Sequence, residues 1–415
     1  MFCKSNIWIS SKPSLKWFWR IQWCSSTSKK LNLPNIDGNF SSFKKLKYPE
    51  SMFVHDYNIA KDISETICTQ LIKTYGNKQL ELIEVNPGPC LITRHLLENT
   101  NYNIIIFENN YNAFVEFFSA IHSVYRNRIH IKHGNLLLLW KLGFQDRMDR
   151  GERVSKFLSP IATKQSWNQE SPSLKIIAAL PNKKFINYLI YSFIFQTGLM
   201  TYGRPEFYLL LPPSLFMKCS CKPIVDKKYY KTNTILFQSI FDIKLLKTYP
   251  RKAFFPPHSS KSESKNVRFK EIKEADTKYI ILAKIVGRQD ILEANGLTED
   301  LLKPFWYFVK HHTISRKNFV IPMLEQWIPG CGPHFIAQGY TIFTQFGDLT
   351  PPQILKLFLK FISLPEYKDS PFLSSMESRI AKLLPSVQIA SEDSVIEQSE
   401  HNSSLDLEEF NDKVN

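Results

Sequence analysis

The chain has 415 residues, 43% of them apolar and 13% aromatic, which is enough for two domains with real cores and excludes a disordered protein. Its formal charge of +15 is uneven: residues 1–36 carry six Lys or Arg and no acid, residues 391–415 carry eight acids against Lys413, and the body between is near about +16. Such a body favours polyanions, of which nucleic acid is the commonest, and no apolar run reaches the roughly 18 residues that a membrane-spanning helix needs.

The first segment, residues 1–36, spreads its cations among Ser and Trp and lacks an uninterrupted apolar core, so it reads as a mitochondrial presequence rather than a secretory signal. A basic nucleic-acid-binding arm is the other reading. From residue 53, FVHDYNIAKDISETICTQLIKTYG places apolar residues at helical spacing up to a glycine that would stop the helix. QLELIEV follows as a strand, NPGPC as a tight turn, ITRHLLENT as a helix, NYNIIIFE as a second strand, AFVEFFSAIHSVY as a helix and RIHIKH as a third strand. This alternation predicts a parallel sheet that binds ligands at the carboxyl ends of its strands.

A polar insert over 141–173 interrupts the pattern and is expected to be a lid, a binding loop or disordered. The alternation resumes with the strand SLKIIAA and the loop Leu180-Pro181-Asn182. A helix over 185–199 and the strand EFYLLLPP follow, and the segment ending KTYPRKAFFPP closes the first domain near residue 250. A Pro-, Ser- and Lys-rich stretch over 253–275 precedes a second, mostly helical domain from 251 to 385, with the strand-like TKYIILAKI near its start. Its clearest helix begins at Thr350, with Pro351 in the first turn and Gln353 completing a capping box. The acidic, Ser-rich residues 386–415 read as a disordered tail. The division is therefore 1–36, 37–250, 251–385 and 386–415.

Seven scattered cysteines give no disulfide framework, and Cys219-Ser220-Cys221 lacks the partners that would complete four metal ligands, so no metal site is expected. The chemistry sits in the loops after the strands. Glu84 to Cys90 is a Pro/Gly turn that lets backbone approach a small molecule, and Glu108 ends the next strand in the right place to accept hydrogen bonds from ribose hydroxyls. Gly134-Asn135 and Ala179-Leu180-Pro181-Asn182 supply two further loops at the same edge.

These residues resemble the ribosomal RNA adenine dimethyltransferase family over residues 50 to about 350. FVHD is similar to its F-L-x-D entry motif, EVNPGPCLIT to its E-x-G-P-G-x-G-x-L-T loop, KHGN to a Gly-Asp pair and AALPN to A-N-L-P-Y. The N-P-G-P variant, the long insert and the lost catalytic motif look most like the mitochondrial transcription factor B2 branch. The resemblance implies a class I methyltransferase-like Rossmann fold, α/β with a mostly parallel sheet, plus a smaller helical C-terminal domain. It implies S-adenosylmethionine as cofactor, held by Val54, Glu84, Asn86, Gly88, Glu108 and Asn135.

The departures bear on activity. In the family the loop Asn and the Pro carbonyl hold the adenine amine, and the aromatic residue stacks on the base. Ala179 has no polar group for that task and Asn182 has no π-face, so efficient dimethylation is not expected. Asn135 replaces an acceptor-only carboxylate, and Asn86 and Cys90 replace glycines. The branch implies a transcription initiation factor in the mitochondrial matrix, working with mitochondrial RNA polymerase on melted promoter DNA; the alternative is an active enzyme on ribosomal RNA. Cations interleaved with rings suit single strands, and they place nucleic-acid contacts at Lys183 and Lys184, at Lys227, Lys228, Tyr229, Tyr230 and Lys231, and at Arg251 and Lys252, beside Lys247 and Tyr249.

Overall fold

In the computed structural model, residues 52–161, 164–180, 183–256, 270–292 and 296–386 are described. The expected presequence over 1–36 and the acidic tail beyond 386 lie outside them. Strand β1 (Phe53–Val54) leads to Asp56, whose carboxylate accepts the Ile59 N–H at 3.0 Å and starts helix α1 (Tyr57–Tyr75). The expected glycine stop is real: Gly76 takes a positive φ of 64° and donates its N–H to the Ile72 carbonyl.

Five parallel strands follow: β2 (Glu81–Val85), β3 (Asn103–Glu108), β4 (Ile129–His133), β5 (Leu174–Ala179) and β6 (Pro205–Leu211). Helices α2 (Leu91–Asn99) and α3 (Val115–Tyr125) make the first crossovers. The insert supplies α4 (Leu139–Asp149) and α5 (Arg153–Leu158), and α6 (Lys184–Ile194) joins β5 to β6. Then come α7 (Pro213–Ser220), α8 (Thr232–Ile240), β7 (Phe241–Pro250), β8 (Phe254–Phe255), α9 (Lys270–Lys278) and β9 (Tyr279–Gly287).

The seven-stranded sheet has the order β4-β3-β2-β5-β6-β9-β7, with β9 antiparallel to both neighbours. Counted by appearance in the sheet this is 3-2-1-4-5-7-6 with a reversed seventh strand, the class I methyltransferase arrangement. The strand order reverses between β2 and β5, the crevice where an open α/β sheet takes ligands.

The expected domain boundary at 250 therefore falls inside the sheet. β9 returns beyond it and inserts between β6 and β7, because its run Ile280, Ile281, Leu282 and Ala283 is buried on both faces. The two faces are filled separately, as side-chain alternation along each strand demands. Leu82, Ile104, Ile106, Ile177 and Tyr208 pack with α1, α2 and α3. Ile83, Phe107, Ile176 and Phe207 pack on the opposite face with α6, α8 and the C-terminal helices α10 (Leu302–His312), α11 (Val320–Glu325), α12 (Gly332–Ile336), α13 (Pro351–Ile362) and α14 (Phe372–Ser386). The C-terminal helices thus share one core with the sheet. The capping box at α13 forms as expected, with Thr350 N–H donating to Gln353 Oε1 at 2.9 Å.

The insert is built rather than loose. Phe157 on α5 lies against Gly134, where an added Cβ would sit 2.4 Å from its ring, and Trp167 donates Nε1–H to the Arg288 carbonyl at 2.8 Å. Among the described residues no helix is long and apolar enough to cross a membrane.

Candidate nucleotide-binding edge and basic surface

The loop after β2 has an unusual backbone. Asn86, Gly88 and Cys90 all take positive φ, 51°, 61° and 58°, at every second residue. These are the three positions at which the E-x-G-P-G-x-G pattern has glycine, so the backbone path of the loop is kept although two of the glycines are gone. Asn enters the left-handed region readily, whereas Cys90 carries strain of about 1–2 kcal/mol there. It is held by burial, by its Sγ contact to the Gly88 carbonyl at 3.5 Å, and by the Arg94 N–H that its carbonyl accepts at 2.9 Å to begin α2. Gly88 has no room for a side chain, since a Cβ would lie 2.6 Å from Phe53 Cγ.

The side chains at this edge bond to one another. Asn86 Nδ2 donates to Asn135 Oδ1 at 3.0 Å, and Asn86 Oδ1 accepts the Asn109 N–H at 3.2 Å. Asn135 Oδ1 also accepts the Leu137 N–H at 3.0 Å, so main-chain donors fix the orientation of both amides. Glu108 accepts the Gly88 N–H on Oε2 at 3.1 Å and the Asn110 N–H on Oε1 at 2.7 Å. Glu84 accepts the Thr93 hydroxyl at 2.6 Å. The loops after β2, β3 and β4 are thereby joined into one polar layer. Asn135 Nδ2 is the exception: it is buried and has no hydrogen-bond partner among the described residues.

Both carboxylates are pushed up to about 7. Burial is the main cause for each; the Thr93 bond pulls Glu84 back down while the neighbouring Glu108 charge raises it, and the Asn110, Gly88 and Asn109 N–H groups pull Glu108 down.

The family implies S-adenosylmethionine, and the residues as arranged do not fit it. The expected ribose acceptor, Glu108, is 1% exposed with a backbone N–H on each oxygen, and Phe53 packs directly against Gly88. Glu84, Asn86 and Asn135 are buried as well, and Val54 is buried in its pairing with Phe254 in β8. Of the adenine-gripping loop, Ala179 and Leu180 are buried apolar ends of β5, with Leu180 N–H bonded to the Leu210 carbonyl; Pro181 and Asn182 lie outside the described residues.

The expected nucleic-acid contacts divide. Lys227, Lys228, Lys231 and Lys252 are exposed, and Lys183 and Lys184 are half-buried at the start of α6. Tyr230 is not a surface ring. It is 1% exposed and donates its hydroxyl to the Leu349 carbonyl at 2.8 Å, because the apolar core beneath α8 recruits it. Tyr229 is half-buried and packs against the same core. Tyr249 is buried too, and Lys247 pairs with Asp62 at 2.7 Å. Arg251 is a clamp, donating to the Phe254 carbonyl at 2.8 Å and to the Pro256 carbonyl, so its fork is spent on its own chain.

Phe53 over Gly88, Phe157 over Gly134 and the backbone donors of Asn109 and Asn110 were not singled out as site residues from the sequence. The FVHD motif was the available signal for Phe53. Sparse apolar spacing in the insert gave none for Phe157. Among the described residues no three His, Cys, Asp or Glu side chains gather as a metal site.

Comparison with known proteins fits this scaffold. The chain is 29% identical over 409 residues to the dimethyladenosine transferase 2, mitochondrial, of Drosophila melanogaster, covering 89% of each. It is 24% identical over 340 residues to the protein of that name from Bos taurus, covering 78% of this chain and 80% of the other. A solved dimethyladenosine transferase from Plasmodium falciparum aligns over 74% of this chain and 97% of that one, with a TM-score of 0.47 at 11% identity, a likeness too loose to add to the strand order. The ribosomal RNA adenine dimethylase pattern matches residues 43–287, well over half of the chain, and the chain belongs to that family.

Proposed function

We propose that this protein is a mitochondrial transcription initiation factor built on the adenine dimethyltransferase scaffold. It binds nucleic acid and assists a mitochondrial RNA polymerase in opening promoter DNA. The observation that carries this reading is the state of the old active edge: Glu108 is bonded on both oxygens to Gly88 and Asn110 N–H groups, and Ala179 replaces the side chain that would hold the target amine. A site that satisfies itself loses the positioning on which methyl transfer depends, and a misplaced group costs orders of magnitude in rate. The basic body remains, and it favours a polyanion whether or not chemistry follows. The names of the relatives place those proteins in mitochondria, and the basic first segment supports the same compartment, the matrix, for this one.

Transcription from a duplex promoter and from a pre-melted bubble, with the cognate polymerase and with or without this protein, tests the reading. Stimulation confined to the duplex template supports it; equal transcript from both templates with and without the protein refutes it.

A second reading, residual dimethylation of ribosomal RNA, is favoured by two observations. The three left-handed loop positions keep their geometry without their glycines, and Asn135 Nδ2 is a buried donor in want of an acceptor. Methyl transfer to a small-subunit ribosomal RNA hairpin would detect it.

A further inference from the structure

Residues 341–344 form a tight turn whose corners are pinned. Thr344 N–H donates to the Thr341 carbonyl at 3.0 Å, and Thr341 N–H donates to Thr344 Oγ1 at 2.9 Å. The two central residues are Ile342 and Phe343, 55% and 75% exposed. Turn centres ordinarily hold Gly, Asn, Asp or Pro for conformational reasons, and neither Ile nor Phe brings any of them. The fold obtains nothing from a solvated phenyl ring at the tip.

The turn is braced. Val320 N–H donates to the Thr344 carbonyl at 2.8 Å, Phe346 N–H to the Asn318 carbonyl at 2.9 Å, and Phe319, itself 38% exposed, bridges to Gln345. Arg316 extends the bracing to the next loop, donating Nη2–H to the Pro223 carbonyl and Nη1–H to the Lys227 carbonyl, both at 3.3 Å. Three segments, 222–231, 313–320 and 341–349, are thus fixed side by side.

Their charge is one-sided. They hold five lysines and Arg316 against two acids, Asp226 and Asp348. Both acids are spent internally: Asp226 accepts the Lys222 N–H at 3.0 Å, and Asp348 pairs with Arg316 at 2.9 Å. Lys227, Lys228, Lys231 and Lys317 remain exposed on these segments.

We infer that this surface is a platform for single-stranded nucleic acid, on which Phe343 stacks an unpaired base while Lys227, Lys228 and Lys317 hold the flanking phosphates. Charge decides the occupant. A protein partner would suit the apolar tip, but segments that carry five exposed lysines ask for a polyanion, and a flat ring presented to solvent on a braced turn asks for a base freed from its duplex. Bracing lowers the ordering that binding would otherwise require. This rests on the reading of the protein as a nucleic-acid-binding factor and locates the contact away from the old active edge.

The test is fluorescence anisotropy of the full chain with a labelled oligothymidylate of about 12 nucleotides, within the usual site size, and with a duplex of equal length. Phe343→Ala is expected to weaken single-strand binding about 5- to 100-fold with an unchanged salt slope, and Phe343→Trp to retain it. Lys227→Gln, Lys228→Gln and Lys317→Gln are each expected to flatten the dependence of log affinity on log salt by about 0.7. Parent-like oligonucleotide affinity of Phe343→Ala overturns the proposal, including where that variant loses binding to the polymerase instead. Equal loss on duplex and single strand also overturns it. If Phe343→Ala loses the oligonucleotide while the parent protein leaves duplex transcription unchanged, the platform stands and the initiation-factor reading fails.

Discussion

Asn86 donates its amide to Asn135 Oδ1 at 3.0 Å, joining the loops that follow β2 and β4 across the carboxyl end of β3, which lies between them in the sheet. The bond joins two of the residues that the family resemblance implies as cofactor contacts. The cofactor question becomes one of competition between this bond and a ligand.

Replacing the bridge should reopen that competition. Asn86→Gly suits the positive φ of 51° and removes the crossing amide, and Asn135→Asp restores an acceptor-only carboxylate. The double variant is expected to lose about 1–2 kcal/mol of stability with the bridging bonds and to bind S-adenosylmethionine at least about ten-fold more tightly than the parent. Calorimetric titration with S-adenosylmethionine and S-adenosylhomocysteine reads this. Tight, Glu108-dependent binding by the parent chain would show that the closed arrangement is no obstacle.

Gly88 is the fixed point of the loop. Gly88→Ala meets both a left-handed φ of 61° and the Phe53 ring at 2.6 Å, which is itself stacked on Phe255. A loss of about 2–3 kcal/mol is expected from strain and displacement together, seen as a lower urea midpoint with an unchanged m-value. Parent-like stability would mean that Phe53 moves aside freely.

Much of this edge was legible in the sequence. Continuous Ile- and Leu-rich runs, buried on both faces, gave β2, β3, β5 and β6, and the spacing from Glu84 to Glu108 brought the two acids to one edge. Three things were not legible, each for a physical reason. The return of β9 is a pairing with β6 across roughly 70 residues, and no local pattern encodes a partner strand. Tyr230 and Arg251 sit among lysines, as surface residues do, yet a distant carbonyl at Leu349 and the turn at Phe254 claim their polar ends. The bonds that close the Glu108 carboxylate come from backbone N–H groups, which every sequence has.

At the opposite end of the sheet, Glu206 is 1% exposed and accepts hydrogen bonds from Tyr75 and from Tyr208, the latter at 2.6 Å, while pairing with Lys284 of β9 at 2.6 Å. Glu206→Ala leaves Lys284 without its partner beside two orphaned hydroxyls. A loss of about 3–5 kcal/mol is expected in urea unfolding. Oligonucleotide affinity measured on the folded fraction should be unchanged, since this cluster lies at the amino ends of β5 and β6. A parallel loss of affinity would tie β9 to the binding surface.

Glu84 makes stability depend on pH in a stated direction. Its folded value is raised to about 7 from 4.5, so the folded state binds the proton more tightly than the unfolded chain. The stabilisation from protonation is complete below about 4.5 and is lost as pH rises through about 7. Glu84→Gln still accepts the Thr93 hydroxyl and carries no charge to desolvate. It should exceed the parent by about 1–3 kcal/mol at pH 8 and match it near pH 5, in urea midpoints across that range. A constant difference would assign the effect to packing.

His312 gives the opposite slope. It is wholly buried, with Nδ1 2.7 Å from the Phe308 carbonyl and Nε2 accepting from Trp327 Nε1 at 3.1 Å, so its neighbours select the neutral Nδ1–H tautomer. Burial and the adjacent His311 lower it to about 3 from 6.5. A depressed base contributes stability that is fully present above about 6.5 and is lost as pH falls toward 3. His312→Gln can still accept the Trp327 N–H but cannot be protonated. It should cost about 1–3 kcal/mol at pH 7.5 through lost ring packing against Phe308 and Phe346. The same variant should unfold with a shallower pH dependence between 6.5 and 4, because the proton that opens the parent has nowhere to bind. An acid limb of parental steepness in the variant would move the trigger to another group.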